Sequence, residues 1–189
     1  MLITTLSGRK RHQYTRNIFL GGMIKCYTPP LSLVTFDIIA KMLKYCNMIR
    51  IIAGGKKSNG WLVEACAEYE KRMRKPFVFE WDFVDEEKLA ERVLRLSAGT
   101  FVVLLDEHGK ILDSPELSRA ISEPLFDGRE VVFVLGGAFG HFPEELVKRA
   151  NLVWSLSKLV FPHQICRLIL AEQIYRAQEI HDGRPYHHA

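Results

Sequence analysis

Five short segments rich in apolar residues, separated by stretches with helical spacing, set the pattern of this chain. The clearest is Val131–Leu135, where five apolar residues follow one another without a break. An unbroken run of this length is typical of a parallel strand that is covered by helices on both faces. Comparable strands are predicted over 48–55, 77–84, 100–105 and 152–157, and residues 106–110 are predicted to form the turn after the third.

Between these strands, apolar residues recur three and four positions apart, which is typical of helices packed on one side. Ser114 is the expected N-cap of one helix, with Pro115 at its first position, and Pro162 is expected to open the last one. The predicted helices cover 60–74, 85–96, a stretch from 114, 143–150 and a long stretch from 162. The alternation predicts an α/β fold, with a parallel-dominated sheet and helices on both faces.

The fourth predicted strand runs directly into Gly136-Gly137-Ala138-Phe139-Gly140. This segment is not a P-loop, because no Gly-Lys-Ser/Thr follows, and a dinucleotide fingerprint would follow the first strand instead. Strand ends at Leu105, Gly136 and Leu156 are expected to meet at the carboxyl edge of the sheet, where open α/β sheets bind ligands. Backbone groups and apolar walls there suit an adenosine that carries an amino acid, and they do not suit a triphosphate.

Charge and cysteine usage narrow the class of protein. Residues 1–47 hold seven Lys or Arg against one acid, Asp37, a net +6, so the rest of the chain carries −2 of the total +4. The overall basicity is therefore weak support for nucleic-acid binding by the main domain. The four cysteines have neither zinc spacing nor a disulfide pattern, which fits a reducing cytoplasm and predicts no metal. No apolar stretch approaches the roughly 20 residues of a membrane span.

Residues 1–47 differ from the rest also in lacking periodicity, and they contain Gly21-Gly22 and Pro29-Pro30. The expected division is a basic N-terminal extension over 1–47 and a catalytic domain over 48–189, with Met48 as a candidate natural start. Three interpretations of the extension stay open: translation from an upstream start, a disordered basic tail, and an organellar transit peptide.

Five motifs carry a resemblance to a known family. In order, they are Leu135-Gly136-Gly137-x-x-Gly140, Trp154-Ser155-Leu156-Ser157-Lys158, Phe161-Pro162-His163-Gln164 with Arg167, Glu172-Gln173-x-Tyr175-Arg176-Ala177 and Pro185-Tyr186-His187. Together they closely resemble the RlmH-type ribosomal RNA methyltransferases of the SPOUT superfamily, and the similarity extends from Met48 to His188. Three features depart from that family: the extension, a shorter segment between strands two and three, and the ending Tyr186-His187-His188-Ala189.

The resemblance implies a C-terminal trefoil knot, a cytoplasmic homodimer and S-adenosylmethionine as methyl donor. The implied reaction is methylation of N3 of a pseudouridine in large-subunit (23S) rRNA, on the assembled 70S ribosome. The implied partners are rRNA within the ribosome and a second copy of the chain, with no membrane and no metal. The implied cofactor-binding residues are Leu105, Gly136, Leu156, Ser157, Lys158, Leu159, Val160 and Phe161.

Four residues are candidates for the chemistry: His163, Arg167, Tyr186 and His187. Each has a structural alternative, because His163 can cap its helix, Arg167 can pair with Glu172, and a terminal Tyr186-His187 is ordinarily unordered. Glu172 and Arg176 stand four apart, which favours an intrahelical ion pair.

Two other functions compete with rRNA methylation. One is a non-catalytic RNA-binding or ribosome-binding dimer of the same fold, which loss of S-adenosylmethionine binding would reveal. The other is a tRNA enzyme of this fold, disfavoured because the chain lacks an extra RNA-binding domain.

Overall fold

The computed structural model describes residues 48–57, 60–136 and 142–186. Within these residues, five strands alternate with five helices, as the apolar pattern predicts. In order, the elements are β1 (Ile49–Gly54), α1 (Trp61–Glu70), β2 (Phe79–Val84), α2 (Glu86–Leu94), β3 (Phe101–Ile111), α3 (Ser114–Phe126), β4 (Val131–Leu135), α4 (Glu144–Arg149), β5 (Leu152–Ser155) and α5 (His163–His181).

All neighbouring strands pair in parallel, in the order β2-β1-β4-β3-β5. The register aligns Leu135 of β4 with Ala53 of β1 and with Leu105 of β3, which in turn faces Trp154 of β5. Paired residues in a sheet point to the same face. These four side chains therefore form one row near the carboxyl edge, and the strand ends behind them lie side by side.

Helices cover both faces of the sheet, which confirms the predicted fold class. One face packs α1, α3 and α5 around a core that includes Ile51, Val103 and Phe133. The other face packs α2 and α4 against residues such as Ile52 and Val132. Successive residues of the central strands are buried on opposite faces, which explains the unbroken apolar run of β4 and the apolar first half of β3.

Two boundaries differ from the sequence predictions. The third strand does not end at Leu105 but continues to Ile111, with a register shift between Leu105 and Lys110 opposite Trp154. The turn predicted over 106–110 is thus a bulge inside the strand. The helix α3 is capped by Asp113 rather than Ser114, because Asp113 and Glu116 form a reciprocal capping box.

The helix predicted between strands two and three is present as α2. Residues 1–47, the predicted N-terminal extension, lie outside the described part. Among the described helices, none is long and apolar enough to cross a membrane.

Candidate functional site

The three strand ends singled out from the sequence surround one cavity of about 530 Å³ at the carboxyl edge of the sheet. Leu105, Gly136 and Leu156 all line it. Pockets for small molecules and cofactors usually measure roughly 300–1,000 Å³. The cavity is therefore large enough for a nucleoside-sized ligand, and its position is the usual one for ligand binding in an open α/β sheet.

The loop from Leu156 to Phe161 forms one side of the cavity. Two serines shape it: the Ser155 hydroxyl donates to the Ser157 carbonyl at 2.9 Å, and the Leu159 N–H donates to the Ser157 hydroxyl at 3.0 Å. Of the eight residues that the resemblance implies for the cofactor, seven line the cavity. The eighth, Lys158, is exposed and is not part of the lining.

The described lining carries carboxylates and no Lys or Arg. Asp106 and Glu107 follow Leu105 directly in the bulge of β3. Asp106 accepts a hydrogen bond from the His108 N–H at 2.8 Å, which fixes the bulge, whereas Glu107 is exposed. A negatively charged lining attracts a cation and repels phosphate groups. The electrostatics therefore agree with the expectation that the site does not bind a triphosphate.

Trp154 forms part of the wall and is only 3% exposed. Its indole packs against the Phe133 ring, with centroids 6.3 Å apart. Within the described part of the chain, the indole N–H is a buried donor without a hydrogen-bond acceptor. Buried donors are normally paired, and this one belongs to a residue that lines the cavity. An unpaired donor in this wall is one feature by which the site fits a polar ligand.

The start of α5 closes the cavity. Pro162 occupies the N-cap position and His163 is the first helical residue, and both line the cavity together with Cys166. No side chain caps this helix. The exposed imidazole of His163 is thus placed at the cavity rim, where it is able to meet a substrate.

Arg167 lies elsewhere, although it follows His163 by only four residues. Its side chain donates to the carbonyl oxygens of Gly54 at 2.9 Å and Lys56 at 3.1 Å, and the guanidinium lies 5.1 Å from the centre of the Phe83 ring. Burial lowers the pKa of Arg167. The hydrogen bonds to Gly54 and Lys56 connect α5 with the end of β1. Arg167 also lines a second, smaller cavity between α1 and β2.

Tyr186 and His187 were the other two candidates for the chemistry. Tyr186 is half-buried against α5, and its hydroxyl donates to Glu172 at 3.3 Å, whereas His187 lies outside the described residues. Glu172 and Arg176 form the predicted intrahelical ion pair at 2.6 Å. Tyr186 is absent from the lining of the large cavity. Of the four candidates, only His163 thus stands at this cavity in the described part of the chain.

Sequence reasoning missed seven lining residues, among them Asp106, Glu107, Trp154 and Cys166. Asp106 and Glu107 were assigned to a turn, although their position directly behind Leu105 was a usable signal. Trp154 and Cys166 were not identifiable from sequence alone, because their places depend on the β3–β5 register and on the start of α5. No described cluster of three or more His, Cys, Asp or Glu is arranged to hold a metal ion.

Comparison with known proteins places this architecture in a family. The family model described as "Predicted SPOUT methyltransferase" matches residues 48–187. A protein of Alkalilimnicola ehrlichii named "Ribosomal RNA large subunit methyltransferase H" is 37% identical over 156 residues, 75% of this chain and 99% of its own length. A protein of the same name from Acetivibrio thermocellus is 39% identical over 157 residues, 74% of this chain and 98% of its own length.

The parallel α/β sheet, with a cavity formed by loops at its carboxyl edge, belongs to a methyltransferase. More specifically, the chain is a member of the SPOUT methyltransferase family, whose fold is the α/β knot. Membership confirms the resemblance that the five motifs indicated, and it implies the trefoil knot that they predicted.

The contacts of Arg167 predict a structural effect. Changing Arg167→Met removes the donors to the Gly54 and Lys56 carbonyl oxygens, and it also removes the cation from the Phe83 ring. We expect the free energy of unfolding to fall by about 2 kcal/mol, measured by urea denaturation. Arg92→Met, which breaks an exposed ion pair with Asp82, is the control and should cost less than about 1 kcal/mol. Equal stability of the two variants would contradict this role of Arg167.

Proposed function

We propose that the protein transfers a methyl group from S-adenosylmethionine to N3 of a pseudouridine in large-subunit rRNA, on the assembled ribosome in the cytoplasm. The observation that carries the proposal is the cavity of about 530 Å³, formed by the loops after Leu105, Gly136 and Leu156. It occurs in a member of a methyltransferase family whose relatives are named for large-subunit rRNA.

The lining suits S-adenosylmethionine in shape and charge. The apolar side chains of Leu135, Trp154 and Leu156 offer walls for the adenine, and the backbone of 156–161 offers hydrogen-bonding groups. When bound, this cofactor supplies a methyl group on a positively charged sulfur. The carboxylates of Asp106 and Glu107 face a ligand of that charge with an attractive potential.

The residues of the chain have two tasks in this reaction. Methyl transfer is an in-line displacement, so the enzyme gains most by holding donor and acceptor in the right geometry. The acceptor N3 is an imide nitrogen that must lose its proton, and a base or a nearby positive charge assists that loss. His163 at the rim of the cavity is one such group, and His187 in the C-terminal tail is the other.

A homodimer completes the proposal. The helix α5 buries Leu170 and Ile174 in the core of its own chain, whereas Ile165, Leu168 and Ile169 stay only half-buried. Beside its start, Leu159 and Val160 are 69% and 81% exposed. Apolar residues on several sides of one helix favour a second contact surface, and two-fold pairing of identical patches is the commonest arrangement. In this proposal, the domain that dimerises is the methyltransferase domain over residues 48–189.

The test of this function is analysis of the modified nucleoside. Ribosomes that lack the modification are incubated with the enzyme and S-adenosylmethionine, and the large-subunit rRNA is digested and examined by mass spectrometry. We expect one 3-methylpseudouridine per particle. Ribosomes with uridine in place of the target pseudouridine should accept fewer methyl groups. A methyl group on a ribose or on another base would contradict the assignment of N3.

The acidic lining predicts discrimination between cofactor and product. Glu107→Gln keeps the shape of the side chain but removes its charge. It should therefore weaken the binding of S-adenosylmethionine, which carries a sulfonium cation, and leave unchanged the affinity for S-adenosylhomocysteine, whose sulfur is uncharged. For an exposed carboxylate we expect about two- to fivefold, measured by calorimetry. Glu145→Gln is the control, because Glu145 is an exposed residue of α4 that does not line the cavity. It should leave the affinity for both ligands unchanged. Equal weakening of both ligands would contradict an electrostatic contribution by Glu107.

A further inference from the structure

The chain after α5 turns back onto the helix that it leaves. Gly183 has a left-handed φ of 66°, and the N–H groups of Gly183 and Arg184 donate to the carbonyl oxygens of Ile180 and Glu179 at 3.0 and 2.8 Å. A glycine with this conformation just past the last helical turn reverses the chain direction. The reversal brings Tyr186 back against the side of α5.

Three residues of α5 hold Tyr186 there. Its ring meets the Tyr175 ring edge-on, with centroids 4.8 Å apart, and the Arg176 guanidinium lies over it at 4.9 Å. Its hydroxyl donates to the Glu172 carboxylate at 3.3 Å. The same carboxylate oxygen accepts from Arg176 Nε at 3.0 Å and Nη2 at 2.6 Å. The Glu172–Arg176 pair thus presents both a charged acceptor and a flat cation to one aromatic side chain.

This anchoring point is distant from the large cavity of the same chain. The cavity reaches α5 at His163 and Cys166, and Glu172 and Arg176 follow Cys166 by six and ten positions, or about 9 and 15 Å along a helix. Burial, followed by the charge of Glu172, raises the pKa of Tyr186 to about 12. The protonated phenol is the donor in the hydrogen bond to Glu172.

We propose that Glu172 and Arg176 are positioning residues for methyl transfer: they anchor Tyr186, the residue directly before His187 in the sequence. This inference rests on the proposed function, in which His187 takes part in methyl transfer. It also changes the role of Tyr186, which was predicted to be catalytic from the sequence, to that of an anchor.

Two measurements on the full chain test the anchor. In the wild type, carboxypeptidase digestion from the C-terminus should leave Tyr186 in place, whereas in Arg176→Ala it should remove that residue. In the same variant, kcat for methyl transfer to ribosomes should fall between about tenfold and a hundredfold, as expected when a reacting group is displaced. The dissociation constant of S-adenosylmethionine should stay within about twofold. Arg176→Lys, which keeps a cation beside Glu172 and the ring, should recover part of kcat.

Matched variants separate positioning from general stability. Arg92→Ala removes an arginine from the ion pair with Asp82, which is likewise partly exposed, and it should leave kcat unchanged. His187→Ala should lower kcat as much as Arg176→Ala does, and a double variant should be no slower than either single one. Full activity of Arg176→Ala or of His187→Ala would overturn the inference, whereas a wild type that transfers no methyl group would instead overturn the proposed function.

Discussion

The Gly109→Ala variant is expected to lose about 2–3 kcal/mol of unfolding free energy. A Cβ at position 109 would lie 2.7 Å from backbone atoms of both Val153 and Trp154. Backbone atoms of a paired strand cannot move aside as the end of a flexible side chain can, so either the bulge of β3 or the strand β5 must shift. For a domain of this size, such a loss corresponds to a melting temperature lower by about 5–10 °C.

Gly99→Ala is the matched control for this prediction. Its Cβ would meet only the Ser97 hydroxyl oxygen, at 3.8 Å, an ordinary contact distance. We therefore expect Gly99→Ala to melt within about 2 °C of the wild type, because surface substitutions usually change stability by less than about 0.5 kcal/mol. If the two variants melt at the same temperature, β3 and β5 do not approach each other at Gly109 as closely as described.

The second large effect is expected at Gly136, where β4 ends at the cavity. Gly136→Val places two methyl groups in the space between the loops after β3, β4 and β5. Overfilling a packed site costs about 1–3 kcal/mol and occasionally more, so we expect the affinity for S-adenosylmethionine to fall by about ten- to a hundredfold. Gly136→Ala, with one added carbon, should fall between the wild type and the valine variant.

Calorimetric titration of the cofactor, together with melting curves of the free variants, decides this prediction. A loss of affinity at an unchanged melting temperature would place Gly136 at the ligand. Unchanged affinity in Gly136→Val would show that Gly136 does not contact the ligand. A large drop in melting temperature would show that the loss of affinity comes from misfolding instead.

Sequence reasoning was strongest where burial governs the pattern. The strand Val131–Leu135 was identified to the residue because both of its faces are covered, so every position must be apolar. The start of α3 was predicted less well, since Asp113 and Ser114 are both good N-cap residues. Asp113 is the cap because the Glu116 side chain accepts a hydrogen bond from its N–H, and the Asp113 carboxylate accepts one from the Glu116 N–H. The bulge of β3 was missed because it depends on pairing with Trp154, which lies about 50 positions later in the chain.

The candidate site shows the same division between local and long-range information. Leu105, Gly136 and Leu156 were grouped correctly at one cavity, because parallel strands end at the same edge of a sheet. Arg167 was grouped with His163 because both belong to one of the motifs that resemble the family, yet it contacts the Gly54 and Lys56 carbonyl oxygens. Only the packing of α5 against the end of β1 decides between those two sites, and no local pattern in the sequence records that packing.

The most direct test of rRNA methylation at this cavity is transfer of a labelled methyl group. Ribosomes lacking the modification are incubated with labelled S-adenosylmethionine and either the full chain or a protein that starts at Met48. We predict label in large-subunit rRNA with both proteins, and much less label with Gly136→Val. Absence of label with both proteins would contradict rRNA methylation. Undiminished labelling by Gly136→Val would contradict the assignment of the cavity.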